Sequence, residues 1–303
     1  MSKLLEVENE IKKAIVGQDK LIRMMIIALI SNGHILIEGV PGVAKTTAIK
    51  TLSQVCDLDF KRVQFTPDLL PSDIIGVETY NPKTNEFQIY KGPIFTNLLL
   101  ADEINRSPAK VQSALLEAMQ ERQVSIGKKT LPLPKPFMVL ATQNPIEQEG
   151  TYPLPEAQLD RFMFKVIVNY PSLEDEIKII ELIENPPTIN KLLSRSDILQ
   201  FQEELKNVFI DKELIEYIAE IVNATRKEKL LRLGASPRAT IFLVKGAKAN
   251  AFIKNRDYVI PEDILEILYE VLRHRIILSY EAIAEDIKED EIIENILNQV
   301  PKR

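Results

Sequence analysis

Residues 39–46 read Gly-Val-Pro-Gly-Val-Ala-Lys-Thr. A short apolar run, His34-Ile35-Leu36-Ile37-Glu38, precedes them, and a helical pattern, Thr46-Thr47-Ala48-Ile49-Lys50-Thr51-Leu52, follows. A glycine-rich turn between strand and helix aims several backbone N–H groups at one point, at the positive end of a helix, which is how phosphate is held. Gly39, Pro41, Gly42, Val43 and Ala44 form such a turn here, with Thr46 and Thr47 opening the helix. Lys45 can reach β and γ phosphates, and the Thr46 hydroxyl can ligate Mg²⁺. The usual pattern has glycine immediately before the lysine. Here Ala44 adds a methyl group, so that peptide must adopt a conformation alanine tolerates. A chance glycine-rich turn is the competing reading, and the flanking strand and helix weigh against it.

Other residues suit the same chemistry. Leu98-Leu99-Leu100-Ala101 is a buried-strand pattern that ends in Asp102-Glu103. Ligands bind at the carboxyl ends of strands in open α/β sheets. There Asp102 can hold Mg²⁺ through water, and Glu103 can orient and deprotonate an attacking water. The next strand pattern, Met138-Val139-Leu140-Ala141, ends in Thr142-Gln143-Asn144. Asn144, with Thr142 as second choice, can hold that water or the γ-phosphate, although Asn before Pro145 can also be a plain turn. Arg161, in Gln158-Leu-Asp-Arg-Phe162, can stabilise transition-state charge on a phosphoryl group and can be supplied by a neighbouring subunit. Its structural alternative is a salt bridge to Asp160 or Glu156. Arg238 falls in the first turn of a helix opened by Ser236-Pro237, where a cation is unfavourable without an anionic partner. A phosphate or an acidic neighbour would serve.

Elements must position these groups. Apolar runs at Ile35–Glu38, Phe60–Phe65, Asn97–Asp102, Phe137–Thr142 and Phe162–Val168 are spaced as five parallel strands, with helical patterns at Lys45–Val55 and Ala109–Glu121 between them and at Asp19–Ile30 before them. This predicts a three-layer α/β domain over residues 1–170. Two insertions, about 76–95 and 122–136, carry turn signals at Asn81-Pro82, Thr84-Asn85 and Gly127-Lys128 and are expected to form β-hairpins. From 171 to 303 only helical patterns remain. Ser172 is expected to cap a helix over Glu174–Ile183, Asp211 one over Lys212–Lys227, and Ser236 one reaching about Asn255. Ile260-Pro261 starts another. The segment 281–296 has seven acids and one lysine, read as a solvated helix face.

Composition narrows the function. The chain has 303 residues, 45% hydrophobic and 27% charged, ordinary for a globular protein. Its 38 Lys and Arg against 44 Asp and Glu give a net charge of −6, which argues against a general nucleic-acid or anionic-membrane binder. The one cysteine, Cys56, excludes an internal disulfide and a cysteine-based zinc site, and the two histidines, His34 and His274, suggest no metal pair. The longest uncharged apolar run, Met24–Ile30, is short of the ~20 residues a membrane helix needs. The N-terminus carries no long apolar signal region, so a cytoplasmic location is expected.

The ordered set Gly-Val-Pro-Gly-Val-Ala-Lys-Thr (39–46), Leu-Leu-Leu-Ala-Asp-Glu-Ile-Asn-Arg (98–106), Leu-Ala-Thr-Gln-Asn-Pro (140–145), Glu-Ala-Gln-Leu-Asp-Arg-Phe (156–162) and Gly-Ala-Ser-Pro-Arg-Ala-Thr (234–240) resembles the AAA+ ATPases, and in detail the MoxR family. The resemblance covers nearly the whole chain. It implies a five-stranded P-loop core with a helical lid, ATP and ADP as ligands with Mg²⁺, and assembly into a homo-oligomeric ring, usually a hexamer. It also implies chaperone-like work on protein clients, often with a partner bearing a von Willebrand factor A domain. On this resemblance Lys45, Thr46, Asp102 and Glu103 are the Walker residues, Asn144 the first sensor, Arg161 the arginine finger and Arg238 the second sensor. Ile15-Val16-Gly17-Gln18 matches the family segment that contacts adenine, which adds Val16 and Gly17 to the nucleotide site.

The expected function is therefore Mg²⁺-dependent ATP hydrolysis that drives remodelling or assembly of protein complexes. A nucleic-acid motor or helicase shares the two insertions, and Lys128-Lys129 could touch a backbone. Net acidity and the lack of an appended basic segment oppose it. A magnesium-chelatase-type ATPase subunit is a closer alternative. A nucleotide-gated scaffold without hydrolysis conflicts with intact Glu103, Asn144 and Arg161.

Overall fold

Five of the apolar runs pair side by side. The structure is a computed structural model that describes residues 3–39, 45–145 and 150–301. Its main sheet comprises β1 (Ile35–Gly39), β2 (Phe60–Gln64), β3 (Leu98–Asp102), β4 (Met138–Gln143) and β5 (Phe164–Val168) in the order β2-β3-β4-β1-β5, all parallel. Strands buried on both faces are apolar throughout rather than alternating, which is why Leu98–Ala101 and Met138–Ala141 were legible as strands. Alternate residues nevertheless enter different cores. Ile35, Ile37, Leu98 and Leu140 face one cluster, and Leu36, Leu99, Val139 and Ala141 face the other. The expected α/β core is thus present. β5 starts two residues later than predicted, because the Met163 N–H turns to donate to His34 O in front of β1.

Helices α1 (Lys3–Lys12), α2 (Asp19–Ile30) and α3 (Lys45–Val55) cover the first face, and α4 (Ala109–Glu121) covers the second. The two insertions are antiparallel hairpins, Gly76–Asn81 with Glu86–Lys91 and Gln123–Ile126 with Lys129–Pro132. Asn85 and Gly127 sit at positive φ (56° and 59°) in their turns.

After residue 170 come α5 (Leu173–Glu184), α6 (Arg195–Glu204), α7 (Lys212–Thr225), α8 (Pro237–Ile253), α9 (Pro261–Leu272) and α10 (Glu289–Gln299). The predicted capping residues do cap: the side chains of Ser172, Asp211 and Ser236 accept from the N–H groups of Asp175, Glu213 and Arg238. Two features depart from the all-helical expectation. A short antiparallel ladder joins Leu231–Leu233 to Ile277–Leu278. The acidic 281–296 segment spans two helices, Tyr280–Ala284 and α10, and Asp290 within it accepts two bonds of 2.7 Å from Arg273. The core of α7–α10 is continuous with that of α1, α2 and the first sheet face.

Candidate functional site at the carboxyl edge of the sheet

Gly39 closes β1. A Cβ there would lie 2.4 Å from the Val168 carbonyl oxygen, so only glycine lets β1 and β5 end this close together. Pro41, Gly42, Val43 and Ala44 of the predicted phosphate turn lie outside the described residues. Lys45 opens α3 half-buried and donates from Nζ to Gly39 O at 2.7 Å. Burial pushes its pKa down, while the charges of Asp102 and Glu103 push it back up, so the three groups share one electrostatic neighbourhood. Thr46 and Thr47 are exposed in the first turn of α3. The oxygen donors of Thr46 and Asp102 are of the hard type that Mg²⁺ takes, so the residues present fit that ion.

Asp102 and Glu103 are held from several sides. The Thr142 hydroxyl donates to Asp102 Oδ1 at 2.6 Å and accepts from the Glu103 N–H at 2.8 Å. Thr142, the second choice for a water-holding residue, is therefore a buried staple between the ends of β3 and β4. Glu103 adopts the left-handed conformation (φ 56°, ψ 51°), which turns the chain sharply after the strand. Its Oε2 accepts from Gln64 Nε2 at 2.8 Å and from Arg106 at 3.1 Å. Arg62 reaches across from β2 to Asp102 Oδ2 with bonds of 3.0 and 2.6 Å. Asn144 is half-buried just past β4 and lines a cavity of about 380 Å³ together with Glu38, Gln143, Lys165, Arg273 and His274.

Val16 and Gly17 precede α2. Gly17 has φ +72°, and a Cβ on it would fall 2.8 Å from Asp175 Oδ2, so this segment abuts the start of α5. Tyr170-Pro171 and α5 follow directly from the carboxyl end of β5, which places Gly17 on the same sheet edge as Gly39.

Arg161 and Arg238 lie elsewhere. Arg161 precedes β5 and donates to Leu116 O at 3.0 Å, and its buried Nε has no hydrogen-bond partner among the described residues. Arg238 donates weakly to Asp160 Oδ2 at 3.5 Å and to Gln120 at 3.4 Å. Both line a cavity of about 360 Å³ whose wall also includes His34, Arg122 and Lys245. His34 precedes β1, so this cavity opens at the amino edge of the strands. With ~3.3 Å per residue, Gly39 is about 17 Å further along. The alternative reading of Arg161, a salt bridge to Asp160 or Glu156, is not what the described residues show: Asp160 binds Arg275 (2.9 Å), Ser236 (2.9 Å) and Arg238.

Arg275 carries no signature in the sequence. Its side chain is fully buried, bonds Asp160 through side chain and main chain, and stacks over Phe242. Burial lowers its pKa to about 10 against the opposing pull of Asp160, so it stays charged. Arg122, also lowered to about 10 by burial, bonds the carbonyls of Asn32 and Phe137. A lone arginine after a helix has no spacing signature, and only the fold reveals its partner. His34 is held within the core. His34 accepts at Nδ1 from the Val139 N–H and faces Met119 O through Nε2, which fixes the neutral tautomer.

Residues 34–164 match the family model for the ATPase family associated with various cellular activities, and residues 223–296 match the AAA lid domain. The chain is 51% identical over 301 residues to chaperone MoxR1 of Mycobacterium tuberculosis, covering 96% of this chain and 80% of that protein. This chain belongs to the MoxR family of AAA+ ATPases. A solved structure from Cytophaga hutchinsonii, described as a candidate ATPase, superposes on this MoxR-family fold with a TM-score of 0.92 at 52% identity, covering 99% of this chain and 94% of that one. The magnesium-chelatase subunit ChlI of Mesostigma viride is a more distant relative, 27% identical over 249 residues, covering 75% of this chain and 63% of that protein. A MoxR-family chain with this core and lid is a nucleotide-binding ATPase. No helix among the described residues is long and apolar enough to cross a membrane.

Proposed function

We propose that ATP is hydrolysed at the edge formed by Lys45, Thr46, Asp102 and Glu103, and that a ring neighbour completes each site with Arg161 and Arg238. The observation that carries this reading is the separation of the two groups. Lys45 and the acids belong to the carboxyl edge of the sheet, whereas Arg161 and Arg238 belong to the amino edge, a distance longer than an arginine side chain. Other cations at the carboxyl edge are engaged: Arg62 on Asp102, Arg106 on Glu103, and Lys165 on Glu38 at 2.8 Å. A second copy, offering its amino edge, supplies cations where charge develops during phosphoryl transfer.

In this reading Lys45 leaves the Gly39 carbonyl for the β and γ phosphates. Thr46 and Asp102 hold Mg²⁺, which when bound neutralises phosphate charge. Glu103 orients the attacking water and accepts its proton. Gln64, bonded to the Glu103 carboxylate, sets where that base points. Asn144 fixes the water or the γ-phosphate, and Val16 and Gly17 line the base. On the first hairpin Tyr80 and Phe87 pair on one face and Tyr90 lies on the other, each more than half exposed, and these aromatics support contact with protein clients. Remodelling of protein complexes, in a ring of six copies and with a von Willebrand factor A domain partner, is the function we infer. The hairpins carry no extended basic face, which favours this over a nucleic-acid motor, and the low identity to chelatase subunits gives that alternative less support.

The test is Glu103→Gln, which keeps shape and hydrogen bonding and removes the base. ATP binding should persist while turnover falls about 10²–10⁴-fold, leaving an ATP-loaded assembly visible by light scattering. Turnover near that of the unmodified chain would place the base elsewhere.

A further inference from the structure

Helix α5 buries none of its twelve residues. Leu173, Ile177, Ile180 and Ile183 are 76%, 52%, 59% and 75% exposed. At about 100° per residue these four fall on one arc of roughly 120°. A helix on a globular protein turns such a stripe inward. Here the half-buried residues are Asp175 and Leu182, on the opposite side, and Ile179, which flanks the stripe. Four contiguous exposed aliphatic side chains mark a surface that is covered in the working assembly.

The position of α5 says what covers it. The helix leaves β5 at the carboxyl edge, and Asp175 in its first turn abuts Gly17 of the nucleotide-edge segment. Asp175 faces Gly17, so the stripe on the other side of the helix points outward from this edge. The helix also carries Glu174, Asp175, Glu176, Glu181 and Glu184 against a single Lys178. The cavity at the amino edge is lined by Arg122, Arg161, Arg238 and Lys245, with no carboxylate in its wall. On α8, Ile241 is 52% exposed and lies one turn after Arg238 and one turn before Lys245, on the same helix face.

We propose that the outer stripe of α5 is the docking surface for a second copy of this chain, which seats its Arg238–Ile241–Lys245 face there. The inference rests on the reading that Arg161 and Arg238 act on a neighbour, and it names the surface that brings them. An aliphatic stripe rimmed by acids meets an exposed isoleucine rimmed by bases. The two patches are different and lie at opposite edges of one sheet, so the contact is head-to-tail. Each docked copy leaves the same two patches open at the ends, and the chain of contacts closes only as a ring.

The test uses the full chain with Ile177→Glu and Ile180→Glu together, and separately with Ile241→Glu. All three positions are exposed, so folding and ATP affinity should match the unmodified chain by thermal unfolding and calorimetry. With ATP and Mg²⁺, the unmodified chain should sediment as a ring and each variant as a monomer, with turnover lower by about 10³-fold or more, the cost of losing an arginine finger. If the α5 double variant fails to fold, Ile183→Glu, far from Asp175, tests the same stripe. Mixing the α5 and Ile241 variants leaves one intact patch on each chain, so a dimer should form and grow no further. An α5 variant that assembles like the unmodified chain overturns the docking surface, and so does a mixture that stays monomeric. An unmodified chain that turns over ATP as a monomer overturns instead the reading beneath it.

Discussion

Arg161→Ala is the perturbation that separates an intersubunit site from one contained in a single chain. The cation cavity opens beside His34 and the Lys45 bond ends at Gly39, so five residues of strand, about 17 Å, lie between them. If Arg161 serves a neighbour, its loss removes a charge felt only in the transition state. ATP affinity should hold while turnover drops about 10³–10⁵-fold, or about 4–7 kcal/mol at 1.36 kcal/mol per decade. A dead variant alone does not locate the arginine, so the assay is complementation. Arg161→Ala and Glu103→Gln chains, each nearly inactive, are mixed in equal amounts and allowed to assemble. A competent interface needs an intact Glu103 from one chain and an intact Arg161 from the next. Random mixing makes about one half times one half, or about a quarter, of the interfaces competent. Turnover should return to about that fraction and fall on dilution. Mixed rings, verified by mass, that remain inactive would refute the reasoning and return Arg161 to a role within its own chain.

Other outcomes follow from the same geometry. Lys45→Ala removes a charge-assisted contact to phosphate and should weaken ATP binding by about 1.5–3 kcal/mol, ten- to a hundredfold by calorimetry; unchanged affinity would sink the phosphate-loop assignment. His34 and His274 are buried and neutral, and burial holds both pKa values well below 6.5. The unfolded chain therefore takes up protons first as pH falls, and stability present above pH 6.5 should be lost below it, by about 1.4 kcal/mol per histidine at pH 5.5. Denaturant midpoints that stay flat between pH 7.5 and 5.5 would contradict this. Asp263 is fully buried and bound by Arg256 at 2.7 and 2.6 Å, so Asp263→Ala strands a guanidinium and should cost about 3–5 kcal/mol of unfolding free energy.

Local chemistry was legible in the sequence wherever a residue type is demanded by backbone geometry or strand burial. The five strands stood out because buried parallel strands admit only apolar residues, and Ser172, Asp211 and Ser236 marked helix starts because only a short polar side chain caps there. Spatial order was not legible. Nothing in the spacing of the strands says that β1 lies between β4 and β5, or that β3 separates β2 from β4. Thr142 and Asn144 both lie at the right strand end, and only the structure separates the staple from the residue lining the cavity. The ladder of Leu231–Leu233 with Ile277–Leu278 is too short to leave a period in the sequence. Arg275 and Arg122 escaped because a buried arginine is recognised by its acceptors, and those come from distant segments.

The Asp160 carboxylate has a mechanical consequence. It is gripped by Arg275 from beyond α9 and by Ser236 at the start of α8, and the next residue along the chain is Arg161. Separating the lid from the Arg161 segment would break an ion pair whose Arg275 side chain is fully buried. Arg161 is thus joined to the lid through its neighbour Asp160 and to the core through Leu116, so this one segment forms the joint between the two.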